Sequence, residues 1–240
     1  MKKIGKIILA TLLFLFIIIC IGIYYFTRYE MPSFYTSEAQ YVAYFKDHGL
    51  ASPNFYTYKV GERTMHYMHM GADTLPLVIF MHGSPGCAAD FKRYFLDSAL
   101  RQKAQLISVD RPGFGDSDEG KGEPALEKQA ALLKPILEKH NAPKTILVGH
   151  SLGGPMVFRM AADYPALIDG VISLAGSLDP ELEPNEWHRP FVDVPPLRWI
   201  MTNALIASNT EIMGHEAALE RLKPAFEKIT IPTIISLNFI

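Results

Sequence analysis

Cysteine is scarce in this 240-residue chain. Cys20 lies in an apolar N-terminal run and Cys87 behind a glycine-rich turn, so the two are not expected to pair and no disulfide framework holds the fold. Excess charge of one sign is also missing. The formal net charge is −2, so nothing in the balance points to a nucleic acid or other polyanionic partner. There is no internal repeat and no low-complexity stretch. The histidines lack ligand-like spacing with carboxylates or thiols, so neither a metal nor another cofactor is expected. No histidine follows position 215, and no carboxylate follows Leu237. Oligomeric state is not written in such a sequence.

What is present begins with a long apolar run. Residues 7–26 carry no charge and number about 20, the length a helix needs to cross a hydrocarbon core of ~30 Å. Lys2, Lys3 and Lys6 precede the run, and Arg28 and Glu30 follow it. Positive charge on the short side predicts a cytoplasmic N-terminus (1–6), a transmembrane anchor (7–26) and a main domain on the extracytoplasmic side. Tyr24 and Tyr25 suit the far interface. A cleaved signal peptide would usually have a shorter apolar region followed by an A-x-A-like site, which is absent here. A lipoprotein cut before Cys20 would need a small residue where Ile19 stands. A buried core helix fits poorly with the flanking lysines and the terminal position.

The next stretch, 27–54, reads as a linker around Met31-Pro32-Ser33 with a short helix over 39–45. Runs 55–60 and 64–70 predict a hairpin around Gly61-Glu62. Apolar runs 77–81, 106–109, 145–148 and 171–174 predict strands covered on both faces. Between them, Phe91, Tyr94 and Phe95 show helical spacing, and Leu126, Ala130, Leu133 and Leu137 mark a helix that Pro135 should kink or end early. A further helix is predicted over 152–163. Such alternation means right-handed crossovers and a mostly parallel sheet, with ligands at the carboxyl ends of the strands. Residues 179–230 are proline-rich and helical in pattern, with one stripe through Leu197, Ile200, Ala204 and Leu205 and another through Leu219, Leu222 and Phe226. Strand-like sequence returns at 231–237.

Three glycine-rich motifs fall at strand ends: His82-Gly83-Ser84-Pro85-Gly86, Asp110-Arg111-Pro112-Gly113-Phe114-Gly115 and Gly149-His150-Ser151-Leu152-Gly153-Gly154. The last is a G-x-S-x-G turn between a strand and a helix. It pushes a serine out at the strand end, beside a helix N-terminus. In this order, the three motifs resemble the α/β-hydrolase family over roughly residues 55–237. The resemblance implies a mostly parallel sheet (core 55–178) with a helical cap inserted at 179–230 and an incomplete return to the sheet at 231–240. The final strand and helix of the family pattern are lacking.

The resemblance also implies roles. Ser151 would be the nucleophile, with the backbone N–H groups of Leu152 and Ser84 forming the oxyanion hole. Pro85 would hold its turn in a cis geometry. His82 is expected to brace that turn and His150 to be structural. The 110–117 loop is expected to shape the site, with Asp116 and Asp118 as solvated turn residues. Serine at 151 departs from the aspartate nucleophile of epoxide hydrolases and haloalkane dehalogenases, leaving acyl transfer from an ester, lipid, thioester, small amide or peptide to water. The family's chain order is serine, acid, histidine. Here Asp179, after the sixth strand, is the candidate acid, with a helix N-cap or turn as its other reading. The general base is unassigned. His188 and His215 lie in the cap, and Trp187, Phe191 and Trp199 line an acyl pocket or form the cap's own small core. Two functions follow: a membrane-anchored serine hydrolase whose chain continues beyond Ile240, or a truncated, non-catalytic remnant that binds a small acyl ligand or a protein partner.

Overall fold

Short β-branched and aromatic runs become the strands of a seven-stranded sheet in the computed structural model, which describes residues 2–30, 34–140, 142–184 and 186–237. The Met31-Pro32-Ser33 linker and the Asn238-Phe239-Ile240 tail lie outside the described residues. In chain order the elements are α1 (Lys2–Tyr25), α2 (Glu38–Asp47), β1 (Asn54–Val60), β2 (Arg63–Met70), β3 (Leu77–Met81), α3 (Ser98–Lys103), β4 (Gln105–Asp110), α4 (Leu126–His140), β5 (Thr145–His150), α5 (Gly153–Asp163) and β6 (Gly170–Leu174). They continue with α6 (Arg189–Val192), α7 (Leu197–Ile200), α8 (Asn203–Met213), α9 (His215–Leu222) and β7 (Thr233–Ser236).

The strand order is β1-β2-β4-β3-β5-β6-β7. β1 pairs antiparallel with β2 and β2 with β4, and every later pairing is parallel. The hairpin turns at Gly61, whose φ of +58° is left-handed, a conformation glycine adopts without a steric penalty. Alternation along the strands sends side chains to two cores. Leu77, Ile79 and Met81 of β3 join one core with α4, α5 and α9. Phe80 joins the other, with Tyr41 and Phe45 of α2 and with Phe91 and Phe95. The carboxyl ends of β3, β4 and β5 therefore carry the three motifs to one edge of a sheet packed on both sides.

Several local expectations are corrected. Pro135 does not end α4 early, since the helix runs on to His140; burial of Leu132, Leu133, Ile136 and Leu137 outweighs the missing hydrogen bond, and the Tyr58 hydroxyl donates to the Leu132 carbonyl at 2.8 Å. The stretch around Phe91 forms two 3₁₀ turns, Ala88–Phe91 and Tyr94–Leu96, rather than one helix. α2 is longer than expected because Ser37 and Gln40 form a reciprocal capping box at its start. It is also part of the packed body, with Tyr41 and Phe45 buried. The stripe from Leu197 to Leu205 is broken at Met201, where the backbone is extended, and Thr202 caps a new helix, α8.

The segment from Leu182 to Lys228 is helical wherever it is regular, as a cap insertion requires. Its aromatic residues do not form a core: Trp187 and Trp199 are each 74% exposed and Phe191 is 56% exposed. α1 is apolar and long enough to cross a membrane, with Lys3–Tyr29 reaching a mean hydropathy of 3.0 in a window of which none is buried. It is not a core helix of this fold.

Candidate active site

Ser151 stands at φ +51° between β5 and α5. A left-handed non-glycine residue costs roughly 1–2 kcal/mol. Backbone hydrogen bonds hold it there: among them, Ser151 N–H donates to the Leu174 carbonyl at 3.1 Å, and Gly154 N–H donates to the Ser151 carbonyl at 2.9 Å. The glycines of the motif are required by space. A Cβ on Gly149 would stand 2.2 Å from the Gly153 carbonyl oxygen, and one on Gly153 would stand 2.4 Å from that of Met81. Both obstacles are backbone and cannot move aside. Leu152 is the N-cap of α5, so its N–H lies at the positive end of that helix.

The turn after β3 is fixed from below. The Gly83 carbonyl accepts from His82 Nδ1 at 2.6 Å and from Arg111 Nη2 at 3.1 Å. His82 Nε2 accepts the Arg111 N–H at 3.0 Å, which sets the tautomer with the proton on Nδ1. Burial and the neighbouring Arg111 charge hold the His82 pKa well below its usual value, so it stays neutral. The Gly83–Ser84 peptide is planar and trans, so a carbonyl held inward turns the Ser84 N–H the opposite way. A Cβ on Gly83 would lie 3.1 Å from Ser151 Cβ, so this turn abuts the serine. The next bond, Ser84–Pro85, is cis, as expected. Ser84 Oγ is buried without a hydrogen-bond partner.

Arg111 is fully buried and forms a bidentate pair with Glu211 of α8, with Nη2 to Oε2 at 3.0 Å. Gln129 joins both, accepting from Arg111 at 3.2 Å and donating to Glu211 at 3.0 Å. This network ties the loop after β4 to the cap. Sequence reading missed Glu211 because it lies a hundred positions from Arg111 and no local pattern marks it. In the same loop Asp116 is exposed, as expected, but Asp118 is not free in solvent: it pairs with Arg63 at 3.3 Å and accepts the Thr64 N–H at 3.0 Å.

Ser151 and Leu152 open onto a cavity of about 830 Å³ that is otherwise walled mainly by the cap, with Ser177, Glu183, Trp187, Met213 and His215 among its lining. Buried His215 places Nε2 2.7 Å from Ser177 Oγ, which in turn contacts Glu183 Oε1 closely; His215 and Glu183 stand 4.0 Å apart. Burial lowers the His215 pKa against the pull of Glu183 and Glu211. Ser177 N–H also donates to the Ser151 carbonyl at 3.3 Å. Ser177 had one legible signal, its place at a strand end where ligands collect; Glu183 had none. Asp179 is exposed, and its side chain accepts from Glu181 N–H at 3.0 Å as the cap of a 3₁₀ turn. His188 is exposed beside Trp187. Ser84 and Asp179 are not among the residues lining the cavity.

Sequence spacing hid two clusters that the fold assembles: His69, Asp73 and His140, and His66, Asp110 and Asp116, each with donor atoms within 4.8 Å. The absence of a spaced motif was therefore no guide to proximity. In both clusters the imidazoles already serve the fold. His66 Nδ1 meets Asp110 at 2.8 Å, His69 Nε2 meets Gln105 at 3.0 Å, and His140 Nε2 meets the Tyr67 hydroxyl at 2.9 Å.

A family model described as alpha/beta hydrolase fold matches residues 76–212. Epoxide hydrolase 1 of Caenorhabditis elegans is 26% identical over 116 residues, 48% of this chain and 28% of that protein. The sn-1-specific diacylglycerol lipase ABHD11 of Mus musculus is 26% identical over 102 residues, 42% of this chain and 33% of that protein. The matched segments thus span about a third or less of these relatives' length. Among solved structures, a membrane phospholipase A described as a bacterial virulence factor aligns with a TM-score of 0.58 at 19% identity, covering 96% of this chain and 81% of that one.

Proposed function

Since the chain belongs to the alpha/beta hydrolase fold family, we propose that it is a membrane-anchored hydrolase in which Ser151 Oγ attacks the acyl carbon of an ester, lipid or small amide. The observation that carries this reading is the left-handed Ser151 at the strand–helix turn, facing the cavity beside the α5 N-terminus. Relatives named as a diacylglycerol lipase and a membrane phospholipase A support acyl chemistry. Others named as epoxide hydrolases belong to a branch whose resemblance implies aspartate where this chain has Ser151. As oxygen charge develops in the transition state, the N–H groups of Leu152 and Ser84 are the donors in this reading. Removing one such donor typically costs ~3 kcal/mol of transition-state stabilisation. α1 is the anchor, with the lysine-bearing end cytoplasmic and the catalytic domain on the other side. No cofactor is required by this chemistry.

The test is covalent labelling of the full chain with a fluorophosphonate probe. Labelling is expected to occur and to vanish in Ser151→Ala. Labelling that survives the substitution sinks the assignment. One observation favours a second reading, a cavity that binds an acyl ligand without turnover: Nε2 of its histidine, His215, is held by Ser177. Absence of labelling in the native chain, with retained binding of a fatty acid, supports that second reading.

A further inference from the structure

α1 and the cap meet along an apolar cleft of about 470 Å³, where Phe16, Cys20 and Tyr24 face Pro196 and Ile200. The Thr27 hydroxyl lies 3.4 Å from the Ile200 carbonyl oxygen. α7 is therefore fixed beside the last turns of α1. Lys3–Tyr29 is 27 residues long, roughly 40 Å of helix at 1.5 Å per residue, more than the ~30 Å of a hydrocarbon core. With Lys3 and Lys6 at one interface, about 30 Å of helix counted from residue 7 ends near Phe26. On that placement residues 16–25 lie in the outer half of the bilayer, and α7, packed against them, lies at its outer boundary.

The exposed side chains of this edge match that depth. Phe191, Val194 and Trp199 are each more than half exposed, and tryptophan concentrates where an apolar body and a polar N–H meet different media. The charged groups along the edge are locally paired, Arg189 with Glu186 and Arg198 with Asp193, which reduces the penalty of bringing them to an apolar boundary. Trp187 and Pro190, next to this edge, also line the Ser151 cavity.

We propose that the α6–α7 edge of the cap, residues 189–200, is seated in the outer leaflet of a phospholipid bilayer, so that membrane-borne acyl lipids reach the Ser151 cavity past Trp187. The proposal rests on the reading of α1 as an anchor. It names the substrate class as lipid in the membrane rather than ester in solution.

The chain has two tryptophans, so Trp187→Phe and Trp199→Phe each leave one reporter. Both variants of the full chain are reconstituted with phosphatidylcholine–phosphatidylglycerol vesicles, with and without bromine near the headgroup end of the acyl chains. Flotation after an alkaline wash reports the anchor, and fluorophosphonate labelling of Ser151 reports the site. The expected result is flotation with blue-shifted Trp199 emission that bromolipid quenches and aqueous acrylamide does not. Flotation with Trp199 open to acrylamide and blind to bromolipid overturns the proposal while leaving the anchor intact. Shelter from both quenchers means that protein, such as a second copy, covers the edge, and overturns it too. Failure to float removes the anchor and the proposal together.

Discussion

The cavity has two unlike walls. On the sheet side every position is determined by its neighbours: Gly149 and Gly153 have no room for a Cβ, His82 and Arg111 are fully buried, and each holds the same carbonyl, that of Gly83. On the cap side, Trp187 at the cavity, and Phe191 and Trp199 on the cap edge beyond it, stand largely in the open. Two cap residues break the division, since buried Glu211 and His215 reach across to the sheet side. The contrast separates two tasks. On the proposed reading, a nucleophile and its donors need fixed geometry, which close backbone packing supplies. Admission of a substrate needs a surface, whose residue identities answer to what lies outside the protein.

Breaking the link between the walls gives the largest expected effect. Glu211→Ala leaves the Arg111 guanidinium buried without its carboxylate, and loss of one partner of a buried pair typically costs about 3–5 kcal/mol. Denaturant unfolding in detergent micelles should show a loss of that size. Fluorophosphonate labelling should slow as well, because Arg111 is one of the two groups that orient the Gly83–Ser84 peptide. Glu211→Gln, which keeps an acceptor oxygen, should lose less on both counts. A loss below about 1 kcal/mol for the alanine variant would be the size of an exposed pair, and the cap would then not be locked to the sheet through Arg111.

The same division explains what could be read from the sequence. The strand ends, the sharp turn at Ser151 and the cis Ser84–Pro85 bond were legible because steric demands there admit few residue types, and glycine, proline and serine mark them locally. Glu211 and the Ser177–His215–Glu183 cluster were not. Their partners are distant in sequence, and a glutamate on a helix looks the same whether it faces solvent or Arg111. α4 shows the limit of a local rule, since Pro135 argued for a kink or an early end, and the helix does not end there but runs on to His140 with Leu132, Leu133, Ile136 and Leu137 buried. For Trp187 and Trp199 two readings stood open, a pocket lining or a small cap core, and Trp187 lines the cavity. The core reading is the one the fold overturns, since both indoles are exposed.

A smaller effect should follow pH and should arise mainly on the sheet side. Burial lowers the pKa of His69 and His82, and takes that of His140 down to about 4, with His69 and Lys139 adding to the fall. A histidine depressed in the folded state stays neutral while the unfolded chain takes up a proton. Its stabilisation is full above the ordinary value of 6.5 and is lost as pH falls through the folded value. His66 acts in the opposite sense. Burial works against its charge, but the hydrogen bond to Asp110 together with the charges of Asp110, Asp116 and Glu38 outweighs that and raises its pKa; its contribution is present below 6.5 and fades as pH rises through the raised value. Burial lowers His150 and His215 as well, and five lowered histidines, set against the raised His66 and against Asp90, whose carboxyl burial raises to about 6, predict a thermal midpoint that declines from pH 6.5 toward 4. The decline should be shallower in His140→Gln, and an unchanged slope would show that this histidine does not carry the effect.

The smallest expected change in stability comes from the cap edge. Trp199 is 74% exposed, and a surface substitution away from caps, ion pairs and buried groups usually stays within about 0.5 kcal/mol. Trp199→Ser should therefore leave unfolding in micelles unchanged at that level. A drop of more than about 1 kcal/mol would mean that the indole supports the cap, and the contrast between a wall fixed by packing and a wall shaped by its surroundings would weaken. With stability unchanged, any effect of the same substitution on reaction with lipid in vesicles has to arise at the membrane surface. A short soluble ester, which reaches Ser151 without crossing that surface, should then react with the native chain and with the Trp199→Ser variant at the same rate.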